Sequence, residues 1–222
     1  MMRPYVFDAY GTLFDLNAAA ERYQSVIGAK WQQLSETWRR KHIEYSWHHS
    51  LTEVPASFWQ LAEQSLDFAI ATTGAPVSGE VRAGLLASYR SMPPYPEVSA
   101  VLARLKAEGG RLAILSNGDP DMLDEAVSAA GLTGLFEAVL SVASAGIFKP
   151  APAVYRLACQ HFGCAAPAIS FQSSNRWDIA GAAAFGFYTV WINRSGALNE
   201  YLGLSPDRVM SDLSGLLGGD AA

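Results

Sequence analysis

From about residue 98 onward, short runs rich in β-branched and aromatic residues alternate with segments whose apolar residues recur at helical spacing. That alternation constrains the fold more than any other feature of the chain. Strands are predicted at residues 111–116, 138–142, 169–172 and 188–192, with one more, the first in the chain, at 3–8. Val98, Val101, Leu102 and Leu105 repeat at helical spacing up to Gly109-Gly110, and Met122, Leu123, Ala126 and Val127 do so up to Gly131. Each pattern stops at a C-cap glycine. Strands joined through helices make parallel neighbours with right-handed crossovers, so the expected fold is α/β, a doubly wound, Rossmann-like parallel sheet. With 222 residues, half of them hydrophobic, the chain can bury a full core.

Residues 16–96 break the alternation, because no convincing strand occurs there. The segment reads as four helices: one after Asn17, one carrying Trp31, Leu34, Trp38, His42 and Tyr45, one with Phe58, Leu61, Ala62, Ala69 and Ile70, and one with Val81, Leu85 and Tyr89. Pro93-Pro94-Tyr95-Pro96 closes it. The expected organisation is a core domain of residues 1–15 and 97–222 with an inserted, all-helical cap subdomain at 16–96. A cap placed directly behind the loop that carries Asp8 would lie over that loop, excluding water and supplying pocket walls.

Charge and motif content exclude several classes of function. The formal net charge is -5 and Lys and Arg are scattered, so there is no footprint for nucleic acid or for anionic lipid. No apolar stretch approaches the roughly 18 residues that span a bilayer, and the N-terminus lacks a basic region followed by a long apolar run, so a cytoplasmic location is expected. GxGxxG and P-loop fingerprints are missing, which leaves nucleotide binding unsupported. The two cysteines, Cys159 and Cys164, with four residues between them, match neither a disulfide framework nor a zinc pattern and read as reduced, partly buried thiols. None of the four histidines pairs at ligand spacing with a Cys or a carboxylate cluster, and His48 and His49 simply adjoin near the end of a charged helix.

The chemistry-bearing residues sit where the predicted strands end. Asp8 and Thr12 follow the first strand, Ser116-Asn117-Gly118 the second, Lys149-Pro150 lies beyond the third, and Ser173-Ser174-Asn175 with Asp178 follow the fourth. In a parallel sheet these ends share one edge, so the groups converge in space. Taken singly, each has an ordinary reading: Asp8 as a turn residue, Ser116-Asn117-Gly118 as a strand-to-helix turn, Lys149 as a surface lysine, Asp178 as the N-cap of a helix over 179–185. Their joint occurrence in this order is what carries weight.

The ordered set resembles the haloacid dehalogenase (HAD) superfamily and, within it, the L-2-haloacid dehalogenases. The resemblance rests on Phe7-Asp8-Ala9-Tyr10-Gly11-Thr12-Leu13-Phe14-Asp15, on Trp38-Arg39-Arg40-Lys41 with Glu44-Tyr45-Ser46-Trp47, on Leu115-Ser116-Asn117-Gly118, on Lys149-Pro150 with Tyr155, on Ser173-Ser174-Asn175-Arg176-Trp177-Asp178, and on Trp191-Ile192-Asn193-Arg194. It implies a hydrolase acting on carbon–halide bonds, a HAD-like core, and a small-molecule 2-haloacid substrate. By the same resemblance Asp8 attacks C2 and becomes esterified, Lys149 keeps that carboxylate charged, Thr12 orients it, and Ser116 lies near both nucleophile and substrate carboxylate. Arg39 and Asn117 would cradle the departing halide beside Phe58. Asp178 would activate water for ester hydrolysis, with Ser173 and Asn175 placing it and Tyr155 in support. Tyr10, Arg40, Ile43 and Trp177 would line the substrate pocket, Arg40 standing where relatives can carry a neutral amide. Glu21, on the first cap helix, reads as a solvated side chain.

Two positions separate this set from the phosphatases of the same superfamily. Tyr10 replaces the second Asp that protonates a leaving oxygen, and Ser173-Ser174 stand where magnesium-binding carboxylates would be. The expectation is a metal-independent enzyme without cofactor, converting short L-2-haloacids to D-2-hydroxyacids through an Asp8 ester. A phosphatase and a non-catalytic binding protein that kept the fold are the competing readings. Relatives often form dimers, so the resemblance leaves a homodimer open, although periodicity identifies no seam.

Overall fold

The structure is a computed structural model that describes residues 3–218. Among these residues, β1 (Tyr5–Phe7), β2 (Leu112–Ser116), β3 (Ala138–Ser141), β4 (Ser170–Ser173), β5 (Tyr188–Ile192) and β6 (Arg208–Met210) form one sheet in the order β3-β2-β1-β4-β5-β6. Every neighbouring pair is parallel. β2 and β4 are buried along their whole length, as expected of strands with helices on both faces. The chain builds outward from β1 through β2 to β3, then returns to the other side of β1 to lay down β4. That reversal opens a crevice beyond the carboxyl ends of β1 and β4, where Phe7 pairs with Gln172 and Asp8 emerges.

Between β1 and β2 run α1 (Leu16–Glu21), α2 (Gln24–Ile27), α3 (Trp31–Thr52), α4 (Phe58–Thr73), α5 (Gly79–Ser88) and α6 (Val98–Ala107). α7 (Pro120–Ala129) follows β2, α8 (Pro152–Phe162) follows β3, and α9 (Arg176–Phe185) joins β4 to β5. α3 and α4 pack as an antiparallel pair through small and apolar residues, and Trp38 Nε1 donates to Ala62 O at 2.9 Å. The chain leaves and re-enters the sheet layer side by side: Asp15 N donates to Pro93 O at 2.9 Å and Tyr95 N to Leu13 O at 3.0 Å. Among the described residues no helix is long and apolar enough to cross a membrane.

Several sequence expectations need correction. The first helix of the 16–96 segment begins at Leu16, before Asn17, and breaks after Glu21 into α2 and a 3₁₀ turn at Gly28–Lys30. The sheet gains a sixth strand, β6, beyond the five expected: its three residues follow a long loop, carry no period-2 signal and pair with the edge of β5. Asp178 is not the N-cap of its helix: α9 begins at Arg176, so Asp178 lies inside the first turn and points back into the sheet edge. Cys159 and Cys164 are free and half-buried.

Candidate active site

Asp8 leaves β1 into a turn over residues 9–14 in which Leu13 N and Phe14 N both donate to Ala9 O. Gly11 makes this turn possible. Its φ is 85°, and a Cβ there would stand 3.0 Å from Arg39 Nη2 and 3.2 Å from Ser174 Oγ. The turn is pinned from outside by Arg194, whose Nη2 donates to Thr12 O at 2.9 Å and to Glu97 Oε1 at 2.6 Å while its guanidinium lies over the Tyr95 ring.

The two Asp8 oxygens have different environments. Oδ2 accepts from Asn175 Nδ2 at 2.8 Å, Thr12 Oγ1 at 2.9 Å and Ser173 Oγ at 3.3 Å, whereas among the described residues Oδ1 accepts from Lys149 Nζ alone, at 3.2 Å. The hydroxyls are themselves oriented, since Ser174 N donates to Thr12 Oγ1 and Asn175 N to Ser173 Oγ. Three oriented donors thus converge on one oxygen, and the other keeps lone pairs free.

Behind Asp8 lies a dry layer. Lys149, only 1 % exposed, also donates to Asp178 Oδ2 at 2.8 Å, so one ammonium bridges two carboxylates. At an effective dielectric of about 20 each contact is worth on the order of 5 kcal/mol of attraction, enough to keep the buried ammonium charged. Its pKa is accordingly raised: burial opposes the charge, but Asp178 and Asp8 together outweigh it. For Asp178, fully buried, burial dominates and lifts the carboxyl to about 6, with Lys149 opposing and Asp8 adding repulsion. Tyr155 donates to Asp178 Oδ1 at 2.8 Å. This contact is possible because residue 181 is glycine; a Cβ there would stand 2.5 Å from the Tyr155 oxygen.

In front of Asp8 is a small cavity of about 50 Å³, lined by Asp8, Tyr10, Arg39, Ile43, Phe58, Ser116, Asn117, Asn175 and Trp177 and by four residues not expected there: Leu16, His42, Ser46 and Tyr89. Arg39, Ile43 and the unexpected His42 and Ser46 share one face of α3 at three- and four-residue spacing. That spacing was the available signal. Tyr89 follows the end of α5 and carried no such signal. Arg39 Nη2 donates to Asn175 Oδ1 at 2.7 Å, a neutral amide, and among the described residues no carboxylate forms an ion pair with it. Arg39 is half-buried and, among the described residues, is held by an amide and not by a carboxylate, so its guanidinium keeps donors for an incoming anion. Phe58 stacks on Tyr10 with ring centroids 5.6 Å apart and lies 4.0 Å from the His42 ring. Burial lowers the His42 pKa to about 4 and raises those of Tyr10 and Tyr89, so this aromatic wall is uncharged near neutrality.

Arg40 is the exception among the expected pocket residues. It is exposed and faces an outer groove with Glu36, Glu44 and Trp47, not the cavity; one helical step of about 100° from Arg39 turns it away. Glu21 is exposed as well. Tyr155, Lys149 and Asp178 stand behind Asp8, and Thr12 and Ser173 beside it. Among the described residues no group of three or more His, Cys, Asp and Glu could hold a metal. The donor set itself does not suit a divalent cation, because the space between the two carboxylates is taken by the Lys149 ammonium.

Comparison with known proteins identifies the family and the fold. Residues 2–186 match the family model of the haloacid dehalogenase-like hydrolases. The chain is 41% identical over 215 residues to (S)-2-haloacid dehalogenase 1 of Pseudomonas sp. (strain CBS-3), covering 97% of this chain and 95% of that one. Its fold matches a dehalogenase solved with an intermediate complex at TM-score 0.94 and 38% identity, over 97% of this chain and 95% of that one. It also matches the L-2-haloacid dehalogenase of Xanthobacter autotrophicus with chloropropionic acid covalently bound, at TM-score 0.89 and 33% identity over 100% of both chains.

Proposed function

Since this chain belongs to the haloacid dehalogenase-like hydrolases, we propose that it hydrolyses short L-2-haloacids to D-2-hydroxyacids and halide through an ester on Asp8. The observation that carries this reading is the asymmetry of Asp8: three donors on Oδ2, one on Oδ1, at the floor of a cavity that also holds the Arg39 guanidinium. Oδ1 donates its electron pair to C2 from the side opposite the halogen, and the halide departs with the C–X pair toward Arg39 Nη and Asn117 Nδ2, with the Phe58 ring as wall. In-line displacement inverts C2. Ser116 Oγ accepts the Gly118 amide at 3.1 Å, which leaves its hydroxyl hydrogen for the substrate carboxylate.

Water then adds to Cγ of the ester while Asp178 takes its proton. The negative charge that develops on Oδ2 meets the same three donors, Thr12, Ser173 and Asn175, which serve as an oxyanion hole. Collapse breaks the acyl C–O bond, the alkoxide takes from Asp178 the proton that the water gave up, and the regenerated Asp8 carboxyl releases the second water proton to solvent. Residues 16–96 act as a cap that brings Arg39, Ile43 and Phe58 over the sheet edge. The reaction needs no metal, since Lys149 supplies the positive charge between the carboxylates.

A single turnover of 2-chloropropionate in heavy-oxygen water, with a chelator present, tests the route. The label is expected in Asp8 and not in the product; label appearing first in lactate would mean that water attacks carbon directly.

The Asp178 environment also sets the pH profile. Ester hydrolysis needs the ionised form, so kcat falls as pH drops through the Asp178 pKa. In the free enzyme that value is raised to about 6, and esterification removes the Asp8 repulsion that contributes to it, so the limb is expected at or just below 6. Tyr155→Phe deletes a hydrogen bond to the carboxylate and is expected to move the limb up by about one pH unit. A limb that stays in place would remove Tyr155 from the site.

A further inference from the structure

We propose that Asp119 is a positioning residue for the halide pocket: its carboxylate fastens the first turn of α4, and with it Phe58, to the loop that carries Ser116 and Asn117. The inference rests on the dehalogenase reading for what the pocket binds, but its geometry is independent of that reading. Asp119 occupies the N-cap position of α7, where a carboxylate ordinarily accepts amides of its own helix, yet it makes no side-chain cap there. Both oxygens cross instead to another segment. Oδ1 accepts from Phe58 N at 3.1 Å and Oδ2 from Trp59 N at 2.9 Å.

These contacts complete an account of every amide that the start of α4 leaves free. Gln60 N donates to Ser57 Oγ and Ser57 N to Gln60 Oε1, so the local capping box serves two donors and Asp119 the other two. A carboxylate at this end also faces the positive pole of a 16-residue helix. Phe58 is held on its other side as well, because His42 Nε2, on the helix that carries Arg39, meets Phe58 O at 3.0 Å. With its pKa lowered, His42 is neutral and donates from Nε2.

The loop end is equally fixed. Asn117 Oδ1 accepts from Lys149 N at 3.0 Å and Gly118 O from Ser141 Oγ at 2.7 Å. Asp119 therefore links two walls of one pocket: Asn117 stands two residues before it on the loop, and Phe58 lies at the far end of its hydrogen bond. Without the link, the aromatic wall is free to withdraw from Arg39 and Asn117, and the pocket admits a larger halogen at the expense of fit to a smaller one.

The test compares kcat/KM for 2-bromopropionate and 2-chloropropionate in wild type, Asp119→Ala, Asp119→Asn and Ser78→Ala, with hydrogen exchange of residues 57–61 measured on each. Asp119→Ala is expected to lose about tenfold in kcat/KM for the chloro acid, to raise the bromo-to-chloro ratio about threefold, and to speed exchange at Phe58 and Trp59. Asp119→Asn keeps one acceptor and is expected to fall between; it decides the question if the alanine variant does not fold. Ser78→Ala removes the cap of α5, whose Oγ accepts from Val81 N, and is expected to lower Tm without moving the ratio. An unchanged ratio in both Asp119 variants, or the same shift in Ser78→Ala, overturns the positioning role. Wild type that releases no halide from any haloacid refutes the dehalogenase reading instead, and exchange at Phe58 and Trp59 still reports whether the link exists.

Discussion

Asp8→Asn is expected to abolish halide release, by more than about 10⁴-fold, and to leave no ester on the protein. The loss is of chemistry before it is of fold. A carboxamide has no oxygen pair to spare for carbon, because its single carbonyl must satisfy Thr12, Ser173 and Asn175 or else Lys149. Whichever way it turns, its NH₂ meets another donor. The charge balance, by contrast, improves: Lys149 and Asp178 remain a matched buried pair at 2.8 Å, without the second carboxylate. Tm is therefore expected to hold, which separates a dead site from an unfolded chain. Residual turnover near the wild-type rate in a folded Asp8→Asn protein would remove the nucleophile from the scheme.

Asp178→Asn is expected to divide the reaction in two. Asp8 keeps its donors, so one equivalent of halide should leave per protein molecule, more slowly than in wild type because Lys149 has lost one of its carboxylates. The ester should then persist, visible in quenched samples as the added mass of the acyl group on the peptide that contains Asp8. Turnover should fall by about 10³-fold or more, since among the described residues Asp8 and Asp178 alone pair with Lys149 and Asp8 is then esterified. Lys149 depends on Asp178 throughout the cycle. A variant that turns over steadily with no trapped adduct would show that another group activates the water.

Much of this architecture was legible before any coordinates. Strand runs such as 111–116 and 188–192 are apolar on both faces and bounded by turn residues, and covered parallel strands need no other signal. The groups that end them, Asp8, Ser116, Asn117, Ser173 and Asn175, arrive at one edge because parallel strands all point the same way. What could not be read is equally specific. β6 is three residues long and exists only as a partner for β5. Arg39 and Arg40 are chemically identical neighbours, and helix phase alone places one over Asp8 and the other in solvent. His42, a lone histidine at core spacing, carries no ligand pattern; its contact with Phe58 O depends on how α3 packs against α4.

Local sequence determined which residues form strands and helices and which functional groups follow each strand, because backbone periodicity and turn chemistry act over a few residues. Tertiary structure alone decided that Lys149 spans Asp8 and Asp178, that three donors meet one Asp8 oxygen while the other faces Lys149, and that Asp119 serves a helix other than its own. Those pairings join residues up to 167 positions apart. Each exists because a buried charge or amide must find a partner within about 3 Å, and only the packed chain determines which partner is that close.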